Sequence, residues 1–252
     1  PDPSPDARLN RYAAYALKAE VGLYEGTFMK YHAQAGDYEA FLRASVEASQ
    51  AVIDSKLFDI YSTGDSENDF FDLFVQEELK GNIEGIMIQR FLTNIRTHNL
   101  TRELSEPFTG YSKDFVESFL CSDGLPIGLS PLYEGDNSIE DEFVNRDPRM
   151  KQSIYHPNRP FRIFEDGTSY TKPLPEFSSI LSPTSYFILK GFSPYERDRD
   201  RDKCIIDLFI FRYGKLLLDY AEAKAELGEC TQDVLDISIN KLRDRISMPH
   251  MD

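Results

Sequence analysis

Apolar residues recur with a helical period at the two ends of this chain and lose that period in between. Near the N-terminus, "LNRYAAYALKAEVGLYEGTFMKYH" spaces Leu9, Ala13, Leu17, Val21, Tyr24 and Phe28 so that they share one helical face. Ala13, Ala16 and Ala19 add small contacts beside that stripe. Ser4 followed by Pro5 reads as a cap and a first helical position. After Gly36, Asp37 caps a second helix, "YEAFLRASVEASQAVIDSK", whose shared face holds Phe41, Ser45, Ala48 and Val52. Toward the C-terminus, "FRYGKLLLDYAEAKAELGE" repeats the design. Phe209, Tyr213, Leu216, Leu217, Tyr220 and Leu227 form its stripe, and Ala221, Ala223 and Ala225 favour both helix and close approach. Gly228 ends it. "TQDVLDISINKLRDRISM" then restarts a helix, with Thr231 as N-cap and Leu235, Ile239, Leu242 and Ile246 as its buried side. Each end therefore predicts an antiparallel helical hairpin of the alanine-rich, tetratricopeptide-like kind. Periodicity alone does not separate such a pair from two unrelated hairpins.

The stretch between them, residues 56–204, is rich in proline, glycine, serine and aromatics. "EGIMIQRF" reads as a strand, while "SDGLPIG", "YEGDNS" and "FEDGTSY" are turns. "RDPRM" sets an arginine on each side of Asp147-Pro148, a rigid turn suited to an arginine–carboxylate pair. So long a stretch without regular structure must pack on a scaffold, and loops held that way are where binding sites sit. The expected fold is mainly α: a hairpin over 1–55, an irregular loop-rich lobe over 56–204 that forms the ligand face, and a second hairpin over 205–252.

At 252 residues, 41% of them hydrophobic and 28% charged, the chain is large enough to bury a substantial core. It has no run of about 18 apolar residues, so no membrane-spanning helix is predicted. A formal net charge of −15 argues against nucleic acid, which requires clustered basic residues. "ERDRDRDK" alternates its signs and reads as a self-neutralising solvated loop. Three cysteines, Cys121, Cys204 and Cys230, make no disulfide framework and leave a single bridge open. The chain opens on a helix cap without an initiator methionine, which suggests a processed or partial form.

Catalytic patterns are missing. The four histidines are scattered without metal-ligand spacing, and there is neither a nucleophile elbow nor a phosphate-cradling loop. "DSENDF" alternates Asp65, Glu67 and Asp69 as calcium loops do, but lacks the sixth-position glycine and has Gln76 at the twelfth. No cofactor or metal is expected. Saccharide binding asks for something else: aromatic faces for pyranose rings, and a few polar groups for hydroxyls. Without tryptophan, tyrosine and phenylalanine must serve. "HNLTRELSEPFTGYSKDFVESF" interleaves such rings with polar groups, and with the following loop it supplies the candidate ligand residues Asn99, Arg102, Phe108, Tyr111 and Tyr133. The competing role for any one of these rings is to anchor its loop on the core.

Six segments in order, "RYAAYALKAEVGLYEGTFMKYH", "SDGLPI", "NRDPRM", "SPTSYFILKGF", "FRYGKLLLDYAEAKAELGE" and "INKLRDRISMP", resemble the SusD/RagB family of Bacteroidetes nutrient-binding lipoproteins. Arg212, Tyr213, Leu217, Tyr220, Ala221, Glu222 and Ala223 match its tyrosine-rich helix, with Gly214-Lys215 as a departure from Ala-Glu. Asn240, Lys241, Leu242, Arg243 and Arg245 match its second signature. The resemblance implies a central portion of a protein about twice this length, with a helical scaffold carrying an irregular lobe. It also implies non-catalytic capture of glycan at the cell surface and delivery to a SusC-like TonB-dependent outer-membrane transporter. Membrane attachment would come only through a lipid anchor on the N-terminal part not included here. The alternative function is a helical scaffold that binds peptide or a protein partner, and a hydrolase stands well behind both.

Overall fold

A computed structural model describes residues 8–32, 35–105, 109–175 and 184–252. In chain order the elements are α1 (Arg11–Tyr31), α2 (Tyr38–Ser55), α3 (Asp69–Asp72), β1 (Gly85–Gln89), α4 (Leu100–Ser105) and α5 (Lys113–Glu117). They continue with α6 (Ile139–Phe143), α7 (Pro148–Ser153), β2 (Arg162–Ile163), β3 (Ser169–Tyr170), β4 (Leu208–Arg212), α8 (Tyr213–Glu226), α9 (Gln232–Ile237) and α10 (Ile239–Asp244). The chain is mainly helical, with its long helices at the two ends.

The α1–α2 hairpin packs through small residues, and this reverses the expected orientation of α1. Tyr12, Ala13, Ala16, Ala19, Gly22, Leu23 and Gly26 are buried. The large apolar residues assigned to the inner face are exposed instead, Leu17 at 52% and Tyr24 at 64%, together with Leu9, Val21 and Phe28. Close backbone approach decides the matter. A Cβ at Gly22 would stand 2.7 Å from the Phe41 carbonyl oxygen, and one at Gly26 would stand 2.7 Å from Leu42 Cγ. Ser45 Oγ crosses the same seam to donate to the Ala19 carbonyl at 2.8 Å. On α2, Ser45, Ala48 and Val52 are buried as expected, but Leu42 takes the place assigned to Phe41, which faces outward.

Caps follow local chemistry. Asn10 starts α1, its side chain accepting from the Tyr12 and Ala13 amides at 2.9 Å; Ser4 and Pro5 lie outside the described residues. Asp37 caps α2, and Thr231 caps α9. Gly228, at φ 71°, follows the end of α8. The last helical segment is not continuous. Ser238, at φ −124° and ψ −87°, breaks it into α9 and α10, its hydroxyl bonding back to the Val234 carbonyl. Val234, Leu242 and Ile246 are buried there, while Leu235 and Ile239 are only partly so.

Phe209 lies in β4, one element before the helix to which periodicity assigned it. β4 pairs antiparallel with β1, whose span was read as a strand, and the register brings Gly85 opposite Arg212. α8 packs on both α1 and α2. Their shared core comprises Tyr12, Ala16, Val52, Phe58, Ile86, Tyr213, Leu216 and Leu217.

At the junction of these parts sits the fully buried carboxylate of Glu84. It receives the Arg212 guanidinium on one oxygen; on the other it accepts Arg245 Nη1 and the Tyr61 amide, both at 2.9 Å. A Cβ at Gly214 would press on the Arg212 guanidinium and lie 2.6 Å from the first carboxylate oxygen. The glycine that departs from the usual signature therefore makes room for the ion pair.

The intervening lobe carries its own cores. Tyr155, Phe161, Phe187, Leu189 and Phe192 form one, and Val116, Phe143, Met150 and Ile154 form another. Gln152, fully buried, ties α7 to α3 by accepting the Phe70 and Phe71 amides at 2.8 and 3.1 Å. Asp207 likewise bridges the Leu79 and Phe91 amides. Aromatic packing and buried side-chain acceptors thus take the place of regular secondary structure here.

Two stability effects are expected. Gly22→Val should force α1 from α2 and cost about 3 kcal/mol in urea unfolding; an unchanged midpoint would refute the close-packed seam. Glu84→Gln should cost about 3–5 kcal/mol, because it leaves two guanidiniums without a counter-charge in the interior. A loss below about 1 kcal/mol would show that water compensates them.

Candidate functional site

Several cavities bring aromatic faces together with polar groups, and one of them holds a stacked pair of rings. It is a cleft of about 340 Å³ lined by Phe70, Tyr111, Phe115, Ser118, Phe119, Leu120, Asp147, Arg149, Ser153 and Lys190. One wall comes from α5 and its flanks. Ser112 caps that helix, accepting the Phe115 amide at 3.2 Å, and the cap fixes where the following side chains point. Tyr111 just before the cap, Phe115 within the helix and Phe119 just past its end gather their rings together. The Tyr111 and Phe115 rings stack with centroids 4.4 Å apart, and Phe119 meets Phe115 edge-on at 5.3 Å. Phe115 remains 40% exposed, so the stack offers an open face to a ligand. Tyr111 is anchored by its amide on the Tyr186 carbonyl, and burial pushes its hydroxyl above the usual range.

The opposite wall is α7. Asp147 caps it, Pro148 occupies its first position, and Arg149 returns to grip the cap carboxylate with Nε at 3.0 Å and Nη2 at 2.6 Å. This is the arginine–carboxylate pair expected from "RDPRM". Arg146, the other arginine of that turn, points inward and donates to the carbonyls of Val116 and Phe119 at 2.9 Å, which fixes the back of the aromatic wall.

The floor is Phe70 and Lys190. The Lys190 ammonium lies 4.4 Å from the Phe74 ring centre and 5.3 Å from that of Phe70. Burial, together with repulsion from Arg212 and Arg245, lowers it to about 8, against a smaller opposing pull from Glu84.

The sequence-assigned ligand residues do not converge. Tyr111 lines the cleft. Tyr133 lies with its ring 5.4 Å from the Arg146 guanidinium and is not among the lining side chains. Asn99 is committed to the 197–203 loop, donating to Asp202 Oδ1 at 2.7 Å and accepting the Asp202 amide at 2.6 Å. Arg102 is exposed on α4, and Phe108 lies outside the described residues. Phe70, Phe115, Phe119 and Lys190 escaped the sequence-based choice. The 111/115/119 spacing was a usable signal, as was a lone lysine inside "YFILKGF".

Other polar features are internally used. In "DSENDF", the Asp69 carboxylate accepts the Ser62 and Thr63 hydroxyls and the amides of Thr63 and Gly64. Asp65 accepts from the Glu67 amide and from Asn68. Among the described residues no cluster of acidic, histidine or cysteine side chains has the geometry to hold a metal, and all three cysteines are free. A larger cavity of about 520 Å³ lies between Thr93–Thr97 and the 197–205 loop, but among the described residues no aromatic ring lines it. The stacked Tyr111–Phe115 pair, with Phe115 open to solvent, makes the 340 Å³ cleft the candidate saccharide platform.

The SusD family pattern matches residues 94–252, more than half of the chain. The fold is similar to a SusD-like carbohydrate-binding protein of Bacteroides fragilis, at TM-score 0.70 and 22% identity over 97% of this chain and 46% of that one. It is also similar to a second SusD-like protein of that organism, at TM-score 0.68 and 18% identity over 98% and 49% of the two chains. A third similar structure, solved with a xylogluco-oligosaccharide, gives TM-score 0.63 and 16% identity over 97% and 46%. The chain thus spans about half the length of these relatives. No curated protein matches it.

The Lys190 environment has a pH consequence. Unfolded, Lys190 keeps its proton to the ordinary lysine value of about 10.5; folded, only to about 8. Between those values the unfolded state holds more protons, so this group's contribution to stability rises with pH. Lys190→Met is expected to be more stable than the parent at pH 7.5, with the gap narrowing toward pH 10.5 in urea melts. A constant gap would refute the burial.

Proposed function

The chain belongs to the SusD family, and from that premise we propose that it captures glycan without cleaving it. The observation that carries this reading is the stacked Tyr111–Phe115 platform, open to solvent and flanked by Arg149, Ser118 and Lys190. A flat apolar ring face next to charged donors matches a pyranose, whose C–H face is apolar and whose rim is hydroxyl. The similarity to a carbohydrate-binding protein and to a structure holding a xylogluco-oligosaccharide supports the same reading.

Binding without hydrolysis fits the charges along the cleft. Glycoside hydrolysis uses two facing carboxylates, one to protonate the leaving oxygen and one to attack or activate water. Of the described residues lining this cleft, Asp147 is the one carboxylate, and Arg149 grips both its oxygens. In the proposed role the glycan is held at the outer-membrane surface and passed to a SusC-like TonB-dependent transporter. The affinity for any one saccharide is modest, since a solvent-facing platform buries little area against the cost of ordering the ligand.

Calorimetric titration against plant, host and microbial oligosaccharides tests this, with a peptide mixture as control and sugar release assayed in parallel. Phe115→Ala is expected to weaken glycan binding about tenfold while leaving the melting temperature nearly unchanged, since one open stacking face is lost. Binding of peptides in place of glycans, or release of sugar, would overturn the proposal.

A further inference from the structure

Among the described residues, the base of the cleft carries an ammonium that no carboxylate pairs, in a chain whose formal net charge is −15. Four basic groups gather there from separate elements: Lys190, Arg149 on α7, Arg212 at the end of β4, and Arg245 just after α10. The carboxylates among them are already engaged. Asp147 is gripped by Arg149, Glu84 is shared by Arg212 and Arg245, and Asp69, which also acts on Arg245, is held by the Ser62 and Thr63 hydroxyls and the Thr63 and Gly64 amides. That accounting leaves Lys190. Among the described residues, no carboxylate lies within ion-pair distance of its ammonium and no acceptor hydrogen-bonds it; its close neighbours are the Phe70 and Phe74 rings. Aromatic faces stabilise a cation only in part, and they do nothing to offset the repulsion from Arg212 and Arg245.

A neutral saccharide would bring hydroxyls to this ammonium and leave the excess charge in place. A saccharide bearing an anionic group would complete it, with the pyranose face on Phe115 and the anion over the floor. We propose that the ligand of this cleft is an acidic saccharide, whose carboxylate or sulfate pairs with Lys190. This deepens the glycan-capture reading and rests on it.

The pairing is charge-assisted, so it depends on Lys190 being protonated. Its ammonium faces Arg212 and Arg245, which favour loss of the proton, and Glu84, which opposes it; Asp147 and Arg149 lie across the cleft as a neutral pair. In the free protein it titrates at about 8. An arriving anion holds the proton on, so affinity is full below that pH and falls as pH rises through it.

The test is titration with oligosaccharides of galacturonan and of carrageenan, each beside a neutral counterpart made by carboxyl reduction or desulfation, with poly-L-glutamate as a non-saccharide acid. At least one acidic oligosaccharide is expected to bind about tenfold or more tightly than its neutral counterpart. The galacturonan and carrageenan arms tell a carboxylate from a sulfate. Lys190→Met should abolish the difference, Lys190→Arg should retain it, and the difference should fade above pH 8. Equal or tighter binding of the neutral counterparts overturns the acidic preference and leaves glycan capture standing. A preference that survives in Lys190→Met overturns the assignment to this lysine. Poly-L-glutamate binding as tightly as the acidic sugars overturns the saccharide class. Silence from every saccharide, acidic and neutral, overturns both this proposal and the reading beneath it.

Discussion

The buried carboxylate of Glu84 is the constraint on which the arrangement of the remaining parts depends. It lies just before β1, yet its partners come from the loop after α2, from the junction of β4 with α8, and from the segment after α10. An interior carboxylate is tolerated only where its lone pairs are filled and its charge is met. Those requirements select a single mutual placement of four chain segments, from Tyr61 to Arg245. The tie also reaches the cleft. Arg245 lies over Phe70 at 5.0 Å and Arg212 over Phe74 at 5.4 Å, so the rings under Lys190 rest on the same two guanidiniums. Scaffold and binding floor are parts of one electrostatic unit.

This explains why the most recognisable segments of the sequence are not the ones that would meet ligand. Arg212 and Arg245 belong to the two signatures that identified the family, and both are spent on Glu84. The helix starting at Tyr213 was legible because its apolar stripe and terminal glycine are local features. The inner face of α1 was not legible from hydrophobicity, because Gly22 and Gly26 rank low on any apolar scale while allowing the closest helix approach. Leu17, Val21 and Tyr24 scored as the buried stripe and lie outside. The break at Ser238 was hidden for a related reason: the periodicity continues across it, and only a hydroxyl bonding to its own helix interrupts the chain.

The cleft was legible in fragments. "RDPRM" gave a capped turn and an internal ion pair, since both partners lie within three residues. The rings at 111, 115 and 119 had helical spacing, but with Pro107 and Gly110 nearby they read as loop. Lys190 and Phe70 are 120 residues apart, and no periodicity links them; their meeting depends on Gln152 tying α3 to α7 and on Leu189 and Lys190 bonding to Ser153. Asn99 and Tyr133 had suitable chemistry, but the first serves the 197–203 loop and the second lies over Arg146.

The aromatic wall has one property that matters beyond this molecule. Residues 111–119 form a nine-residue cassette, held by the Ser112 cap, by one backbone bond to Tyr186 and by the Arg146 grip on the carbonyls of Val116 and Phe119. Two of these attachments engage main-chain atoms alone, and the cap belongs to a position whose side chain faces the helix end. Of the ring-bearing positions, Tyr111 and Phe119 also pack against the Val116–Phe143–Met150–Ile154 core, whereas Phe115 is left free of that duty. A change of the ring at 115 for a smaller or polar side chain would reshape what the surface accepts while the helical frame stays fixed. An architecture of this kind lets recognition diversify faster than the fold that supports it.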